Sequence, residues 1–174
     1  MANVKDYQTK EYQKRIHKLF TLCIVHQPPR VLLGMKKRGF GEGRWNGFGG
    51  KVAVGETIEQ AARRELQEEA GITPVSLEHA GMLHFEFVGD PTLLEMHIFR
   101  CADFTGVVRE SEEMAPQWFH QNDIPFHTMW PDDRYWFPFF LEGKQFRGRF
   151  LFDGFDTILS QELTADIDPK FILQ

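Results

Sequence analysis

The sequence predicts an α+β protein, a mixed β-sheet with helices packed on its faces. Short apolar runs typical of strands occur both before and after one well-framed amphipathic helix at residues 58–70. Turn signals rich in glycine and proline separate these runs. No repeat or shift in composition divides the chain, so residues 17–174 are predicted to form a single domain after a mobile extension at residues 1–16.

Two predicted strands, at residues 19–25 and 31–35, open the domain and are joined by a turn at Pro28 and Pro29. The elements predicted beyond the first helix are strands at 82–88, 93–101 and 116–120, a helix at 131–140, and strands at 145–152 and 157–163. A Gly-Asp-Pro turn makes a hairpin of the first two of these strands, and an Asp-Gly turn makes one of the last two.

Capping signals frame the helix predicted at residues 58–70. Thr57 is followed three residues later by Gln60, the spacing of a capping box, and Gly71 stands where a C-terminal cap is expected. A narrow apolar stripe recurs at every fourth position, namely Ala62, Leu66 and Ala70. These small and aliphatic side chains predict that the helix lies close against the sheet.

The neighbouring stripe of this helix carries Glu65, Glu68 and Glu69. Like charges at spacings of three and four residues destabilise a helix by roughly 0.2–0.5 kcal/mol per pair, so an offsetting charge is expected. A bound Mg²⁺ would supply it, because this ion prefers carboxylate oxygens together with substrate phosphates. For an arbitrary helix the alternative is a solvated charged face, partly neutralised by basic neighbours such as Arg64 and Lys51.

Six glycines lie between residues 39 and 50. Glycine permits unusual backbone angles and a close approach of the main chain to a ligand, so the segment is a candidate for substrate contact. A flexible surface loop is the alternative. The segment is not a phosphate-binding P-loop, because Lys51 is followed by Val52 rather than by serine or threonine.

Charge and hydropathy limit the partners of the chain. A formal net charge of −5 over 174 residues argues against a nucleic-acid polymer, while small anionic substrates remain open if a cation screens them. No apolar run reaches the length of a membrane span and the polar start has no signal-peptide pattern, so no membrane partner is expected. A cytoplasmic location is expected, with the mitochondrial matrix and the nucleus as further locations. Cys23 and Cys101 lie in strand-like runs and are expected to be buried thiols without a disulfide.

Residues 50–72 carry a family resemblance. They resemble the Nudix box, Gly-x5-Glu-x7-Arg-Glu-U-x-Glu-Glu-x-Gly-U, in which U is aliphatic. Every fixed position is matched, by Gly50, Glu56, Arg64, Glu65, Leu66, Glu68, Glu69, Gly71 and Ile72. The resemblance implies the Nudix fold, a mixed β-sheet sandwiched between α-helices, and the metal-assisted hydrolysis of a phosphoanhydride.

The resemblance also implies roles for individual residues. The catalytic residues are Glu69, Glu68, Glu65 and Arg64, and the metal ligands are Gly49, Glu56, Glu65, Glu68, Glu69 and Glu113. Mg²⁺ is the expected ion, with Mn²⁺ as the alternative, and Arg64 is expected to orient the glutamates. Glu113 is the candidate for a distant carboxylate that completes the metal shell, and a solvated loop charge is its alternative interpretation.

Three further segments restrict the resemblance to one group within the Nudix family. Residues 38–41, 43–51 and 130–138 are similar to those of the eukaryotic MutT homologues, a family of oxidised purine nucleoside triphosphatases. This implies a monomer that converts 8-oxo-dGTP, 2-hydroxy-dATP and O6-methyl-dGTP to the monophosphate and pyrophosphate, and so cleans the nucleotide pool. Leu94, where related enzymes carry methionine, departs from the family pattern, and so does the long N-terminal extension.

Asp132 and Asp133 have a physical interpretation of their own. Two adjacent ionised carboxylates repel each other, so the pKa of one is expected to rise and the pair can share a proton. One neutral and one charged carboxyl offer a donor and acceptors to an oxidised guanine or to 2-hydroxyadenine, with Asn46 implied at the opposite part of the base. The alternative is that one aspartate caps the helix after Pro131.

Aromatic residues make up 14% of the chain, which indicates an aromatic core, a slot for a planar ligand, or both. Trp130 is predicted to form a stacking wall worth about 1–3 kcal/mol for a bound base. The implied substrate-binding residues are Thr21, Lys36, Phe40, Asn46, Gly49, Gly50, Lys51, Phe85, Phe87, Leu94, Met114, Trp130, Asp132, Asp133, Trp136 and Phe152. Two other functions remain open, a Nudix hydrolase of dinucleoside polyphosphates or diphosphoinositol phosphates, and a nucleotide-binding protein without turnover.

Overall fold

A mixed β-sheet forms the centre of the computed structural model, which describes residues 15–166. The strands are β1 (Ile16–Gln27), β2 (Arg30–Lys36), β3 (Trp45–Asn46), β4 (Phe48–Lys51), β5 (Thr73–Pro74), β6 (Glu78–Phe87), β7 (Thr92–Cys101), β8 (Phe104–Thr105), β9 (Met114–His120), β10 (Phe146–Asp153) and β11 (Thr157–Ala165). The α-helices are α1 (Ile58–Ala70) and α2 (Asp133–Leu141), and a 3-10 turn spans Phe126–Thr128. None of the described helices is long and apolar enough to cross a membrane.

The strand order of the main sheet is β11-β10-β6-β7-β1-β2-β3, with β4 paired to β1 and β9 paired to β2. The pairs β1–β7 and β6–β10 are parallel, whereas β6–β7, β10–β11 and β1–β2 are antiparallel. The strands β5 and β8 form a separate small sheet. The predicted mixed sheet is therefore confirmed, and so are both predicted hairpins.

The two helices cover opposite faces of this sheet. Because side chains alternate along a strand, Leu22 and Ile24 of β1 belong to one buried core and Cys23 and Val25 belong to another. The first core contains the buried aromatic residues of α2, and the second contains the apolar stripe of α1. The prediction of a sheet sandwiched between helices is confirmed. Both predicted free thiols are buried, and neither forms a disulfide.

The helix α1 begins and ends at the residues that its capping signals predict. Thr57 Oγ1 accepts a hydrogen bond from the Gln60 backbone at 3.1 Å, and the Gln60 side chain accepts one from the Thr57 backbone at 2.9 Å. Gly71 ends the helix with a φ of 72°, a left-handed conformation that glycine adopts without strain. The apolar stripe is fully buried against β4 and β1.

The alternative interpretation of residues 39–50 as a surface loop is wrong for the second half of the segment, where the chain forms β3 and β4. Gly49 pairs with Leu22 of β1, and a Cβ atom on Gly49 would lie 1.8 Å from the Thr21 carbonyl oxygen. The glycine therefore lets two backbones approach closely, which a strand with ordinary side chains would prevent.

The structure differs from the predictions at other places as well. Ile16, assigned to the extension by the sequence, already pairs with Thr92 at the start of β1, while residues 1–14 lie outside the described part of the chain. The second helix begins at Asp133 rather than at residue 131, because Asp133 bonds back to the Trp130 carbonyl in a turn. The two-residue strands β5 and β8 are too short for periodicity to predict.

Candidate active site

Most of the predicted substrate residues line one cavity of about 660 Å³. They are Thr21, Lys36, Phe40, Asn46, Gly49, Phe85, Phe87, Leu94, Met114, Trp130, Asp132, Asp133, Trp136 and Phe152. Glu69 of α1 also reaches the cavity wall. Gly50 and Lys51 lie on the adjoining strand β4 but do not line the cavity. The cavity thus joins a cluster of aromatic residues to the acidic helix.

Aromatic rings surround one end of the cavity. Trp130 stacks on Phe40 with ring centroids 5.0 Å apart, and Phe87 stacks on Phe152 at 5.4 Å. Phe155, which the sequence analysis did not single out, meets Phe40, Phe87 and Trp130 edge to face. Rings at these distances form walls of the size and polarity that a planar base requires.

The carboxyl groups of Asp132 and Asp133 are buried at this aromatic end, each residue being 3% exposed. Burial raises the pKa of Asp132 to about 6, although the Trp136 indole, which donates to Asp132 Oδ2 at 2.9 Å, opposes the shift. Burial and then the charge of Asp132 raise the pKa of Asp133 well above its ordinary value. The predicted rise in pKa caused by the neighbouring carboxylate is therefore present at Asp133.

One oxygen of the aspartate pair has no partner. Asp133 Oδ2 is buried without a hydrogen bond among the described residues, and Thr21 Oγ1, which also lines the cavity, shares this property. Asp132 occupies the N-cap position of α2, but its side chain makes no capping hydrogen bond. The helix-cap interpretation is therefore wrong for Asp132, and Asp133 keeps one unused acceptor at the wall of the cavity.

The acidic edge of α1 forms the other end of the site. Glu69 is 5% exposed and accepts a hydrogen bond from the Gly49 backbone at 2.8 Å. Burial, with the charge of Glu65 as a further cause, raises the pKa of Glu69 to about 7. Burial also raises the pKa of Glu65, whose Oε1 lies where a Cβ atom on Gly50 would be only 2.5 Å away. Gly50 thus leaves room for a carboxylate against the backbone of β4.

Arg64 contacts three carboxylates at once. Its Nε and Nη2 donate to the two oxygens of Glu56 at 2.7 and 3.0 Å. Its Nη1 donates to Glu65 Oε1 at 2.8 Å and to Glu68 Oε2 at 3.3 Å. The guanidinium hydrogen bond lowers the pKa of Glu56. Arg64 is therefore placed to orient the glutamates, and its role in catalysis stays a prediction.

Glu113 lies close enough to the helix for its charge to raise the pKa of both Glu65 and Glu69. Its Oε2 accepts from Lys36 Nζ at 2.6 Å, and this hydrogen bond lowers the pKa of Glu113 itself. The structure thus brings Glu113 near the site as an ion pair with Lys36. Its role as a metal ligand stays a prediction.

The residues of this edge fit a divalent cation. The candidate ligands are carboxylate and backbone oxygens, the donors that hard cations prefer. Glu69 forms no ion pair within residues 15–166, although its buried carboxylate lies near the charges of Glu65 and Glu113. A cation bound by Glu65 and Glu69 would neutralise this excess of negative charge, with Glu56 and Glu68 held nearby by Arg64.

Several cavity residues were not foreseen in the sequence. Leu83 and Met96 line the cavity two positions away from Phe85 and Leu94 on the same strands, so strand periodicity was a sufficient signal for both. The other unforeseen lining residues are Lys18, Phe20, Leu22, Gly41, Gly47, Val88, Asp90, Thr92, Gly154 and Phe155. Most of these follow from tertiary packing and have no local signal.

Replacement of Arg64 by lysine is expected to reduce turnover roughly 10–100-fold, the usual cost of losing a partner that orients metal ligands. Lysine keeps the positive charge but cannot donate to several carboxylates in a planar fork. Arg63→Lys is the matched control, because Arg63 pairs with Glu59 away from the cavity. Steady-state kinetics of both variants test this, and equal activities would contradict the orienting role.

Comparison with known proteins agrees with this geometry. The family model described as the NUDIX domain matches residues 17–140. The chain is 58% identical over 146 residues to proteins named oxidized purine nucleoside triphosphate hydrolase from Mus musculus and from Danio rerio, covering 84% of this chain and 94% of each relative. The fold is similar to the crystal structure of a MutT protein from Bacillus halodurans, with a TM-score of 0.76 and 26% identity over 84% of this chain and 97% of the other.

Proposed function

The chain belongs to the Nudix family, and on that premise we propose that it hydrolyses oxidised purine nucleoside triphosphates to the monophosphate and pyrophosphate. The names of the mouse and zebrafish relatives support this substrate class. The observation that carries the proposal is that one cavity of about 660 Å³ has buried aspartates among aromatic rings at one end and Glu69 at the other. A purine nucleoside triphosphate has a planar base that suits the aromatic end, and a triphosphate that suits a cation held at the Glu69 end.

At the aromatic end, Trp130 and its neighbours stack on the base while the aspartate pair contacts its edge. An oxidised guanine presents donors at N1 and at the 2-amino group, and the unpartnered Asp133 Oδ2 is an acceptor placed in the cavity wall. Because the pKa values of both aspartates are raised, the pair can hold a proton near neutral pH and donate as well as accept. Such a pair would allow one pocket to bind both an oxidised guanine and 2-hydroxyadenine.

At the other end, Glu65 and Glu69 with the Gly49 carbonyl would hold a divalent cation, and Nudix enzymes generally require one. We propose Mg²⁺, with Mn²⁺ as a substitute. When bound by these residues, the ion would neutralise phosphate charge and make water a better nucleophile. The carboxylates and Arg64 set the positions of these groups, and Lys36, which lines the cavity, offers a positive charge to the phosphates.

The proposed reaction is a hydrolysis at the β-phosphorus. The oxygen of water forms a bond to this phosphorus, and the bond from the phosphorus to the oxygen bridging the α- and β-phosphates breaks. The monophosphate leaves with the bridging oxygen, pyrophosphate retains the oxygen from water, and the proton of water passes to a nearby carboxylate. The glutamates of α1 and Glu56, which Arg64 holds beside them, are the carboxylates placed to receive it.

Replacement of Trp130 by alanine is expected to raise KM for an oxidised purine triphosphate roughly 5–150-fold, which corresponds to about 1–3 kcal/mol of lost stacking. The indole lies in the cavity, stacked on Phe40 and beneath the Arg44 guanidinium at 4.4 Å. Trp118→Ala is the control, because Trp118 packs with Arg30 and Phe104 away from the cavity. A loss of thermal stability in Trp130→Ala without a change in KM would show that Trp130 supports the fold and does not bind the base.

A substrate panel tests the proposed function directly. Pyrophosphate release is measured with 8-oxo-dGTP, 2-hydroxy-dATP, O6-methyl-dGTP, dGTP and diadenosine polyphosphates, at several Mg²⁺ and Mn²⁺ concentrations. We expect the oxidised purines to give the highest kcat/KM. A preference for diadenosine polyphosphates would assign a different Nudix substrate, and binding without turnover would contradict the enzymatic proposal.

A further inference from the structure

A cluster of potential metal ligands lies outside the candidate active site. Within residues 15–166, His17 of β1, His84 of β6 and Glu95 of β7 place one ligand atom each within 4.8 Å of one another. The His17 Nε2 atom lies 2.8 Å from Glu95 Oε2, and the His84 Nε2 atom lies 3.5 Å from the same oxygen. None of these residues lines the cavity.

The cluster faces away from the aromatic end of the cavity. Side chains alternate along a strand, so His84 and Glu95 project from the face opposite to Leu83 and Leu94, which line the cavity. His84 and Glu95 are direct neighbours across the antiparallel β6–β7 pair, so their side chains share that face. None of the three ligands lies in residues 50–72, the Nudix motif.

The Glu95 carboxylate is held in place by a chain of histidines. Its Oε1 lies 2.7 Å from His97 Nε2, and His97 Nδ1 lies 2.7 Å from His79 Nε2. If His97 donates its Nε2 proton to Glu95, its Nδ1 accepts the proton of His79. This hydrogen bonding fixes the orientation of the carboxylate and directs Oε2 towards His17 and His84. Outer partners of this kind commonly orient the ligands of metal sites.

From this geometry we propose that His17, His84 and Glu95 form a binding site for Zn²⁺. Two imidazoles and one carboxylate are ligands that zinc accepts and that Mg²⁺ does not favour. Bonds of about 2.0–2.2 Å in a tetrahedral site place two ligand atoms roughly 3.3 Å apart, and the observed separations of 2.8 and 3.5 Å bracket this value. Three protein ligands leave a fourth position for water.

The ion would connect three strands at the start of the domain. His17 is the second residue of β1, and the other two ligands lie in the middle of the β6–β7 hairpin. Zn²⁺ would therefore clip the beginning of β1 to its neighbouring strands and stabilise the sheet. The site does not depend on the proposed hydrolysis. The competing interpretation is a cluster without a metal ion, in which polar contacts alone join the two histidines to Glu95.

Zinc binding by the whole chain tests the proposal. Equilibrium dialysis against ZnCl₂ is performed on a Glu69→Gln background, which removes a principal ligand from the acidic helix. We expect one Zn²⁺ per chain in this background, and an affinity at least roughly 10–100-fold lower after the additional replacement His84→Gln. His127→Gln on the same background is the matched control, because His127 lies in the 3-10 turn, and it should leave zinc binding unchanged.

A second readout separates zinc binding from folding. In EDTA, Glu69→Gln and Glu69→Gln/His84→Gln should unfold at similar temperatures, and added ZnCl₂ should raise the unfolding temperature of the former only. If His84→Gln impairs folding, His17→Gln is the substitute, since the His17 side chain is 54% exposed. Equal zinc affinity with and without His84, or no zinc bound by Glu69→Gln, would overturn the proposal.

Discussion

Glu69→Gln is expected to leave the fold intact and to lower kcat roughly 10³-fold. A principal metal ligand contributes several kcal/mol of transition-state charge stabilisation, and about 4 kcal/mol corresponds to that factor. Glutamine keeps the shape of the side chain and can still accept the hydrogen bond from Gly49. Rates of pyrophosphate release at saturating Mg²⁺ measure the effect.

The matched control is Glu59→Gln. Glu59 lies on the same helix, where its carboxylate pairs with Arg63 on the exposed side and does not reach the cavity. Its replacement removes an equal charge and should leave kcat nearly unchanged. Near-normal kcat in Glu69→Gln, or equal losses in both variants, would contradict the assignment of Glu69.

Although Glu69→Gln is expected to lower kcat, it is expected to raise the free energy of unfolding of the metal-free protein above pH 7. In metal-free protein the folded-state pKa of Glu69 is raised from its ordinary value of 4.5 to about 7, so folding loses stability as pH rises through this window. A shift of this size corresponds to about 3 kcal/mol. Glu69→Gln should therefore be more stable than the unsubstituted protein above pH 7 in EDTA, and the difference should vanish near pH 4. Urea unfolding at several pH values measures it.

The acidic helix shows what a sequence can specify locally. Thr57, Gln60 and Gly71 supply both ends of α1, and the spacing of its small apolar residues determines which face is buried. These signals act within one or two helical turns, so they can be interpreted without knowledge of the rest of the chain. The bounds and the buried face of α1 were predicted correctly for that reason.

Strands β3 and β4 show where local signals fail. Glycine is depleted in strands, so a run with six glycines predicts a loop. The pairing of β4 with β1 depends on close backbone contact between Gly49 and Thr21, residues far apart in sequence. The cluster of His17, His84 and Glu95 was missed for the same reason, since only the alignment of β1, β6 and β7 brings the three side chains together.

The candidate active site could be predicted from the sequence only in part. The motif identifies Glu65 and Glu69 from sequence, but their raised pKa values depend on burial against β4, which the sequence does not reveal. Likewise, adjacency in sequence predicted that Asp132 and Asp133 influence each other. Their complete burial, and the absence of a partner for one oxygen, are tertiary properties.

Asp133→Asn is expected to lower kcat/KM for 8-oxo-dGTP roughly 10–10²-fold. A buried polar group that loses its hydrogen-bond partner costs roughly 1–3 kcal/mol, and the asparagine amide can set its own donor against a donor of the base. The unpartnered Asp133 Oδ2 is the acceptor that the base would engage. Because the catalytic glutamates are untouched, most of the loss should appear in KM.

Thermal unfolding separates this recognition role from a structural one. Burial and the charge of Asp132 raise the pKa of Asp133 far above its ordinary value, so the ionised form destabilises the fold and stability falls as pH rises above that value. Asp133→Asn removes this cost and should unfold at an equal or higher temperature than the unsubstituted protein at pH 8. Asp123→Asn, at an exposed position outside the cavity, is the control and should change neither quantity. A variant that loses stability while retaining its KM would show that the buried carboxyl supports the fold instead of binding the base.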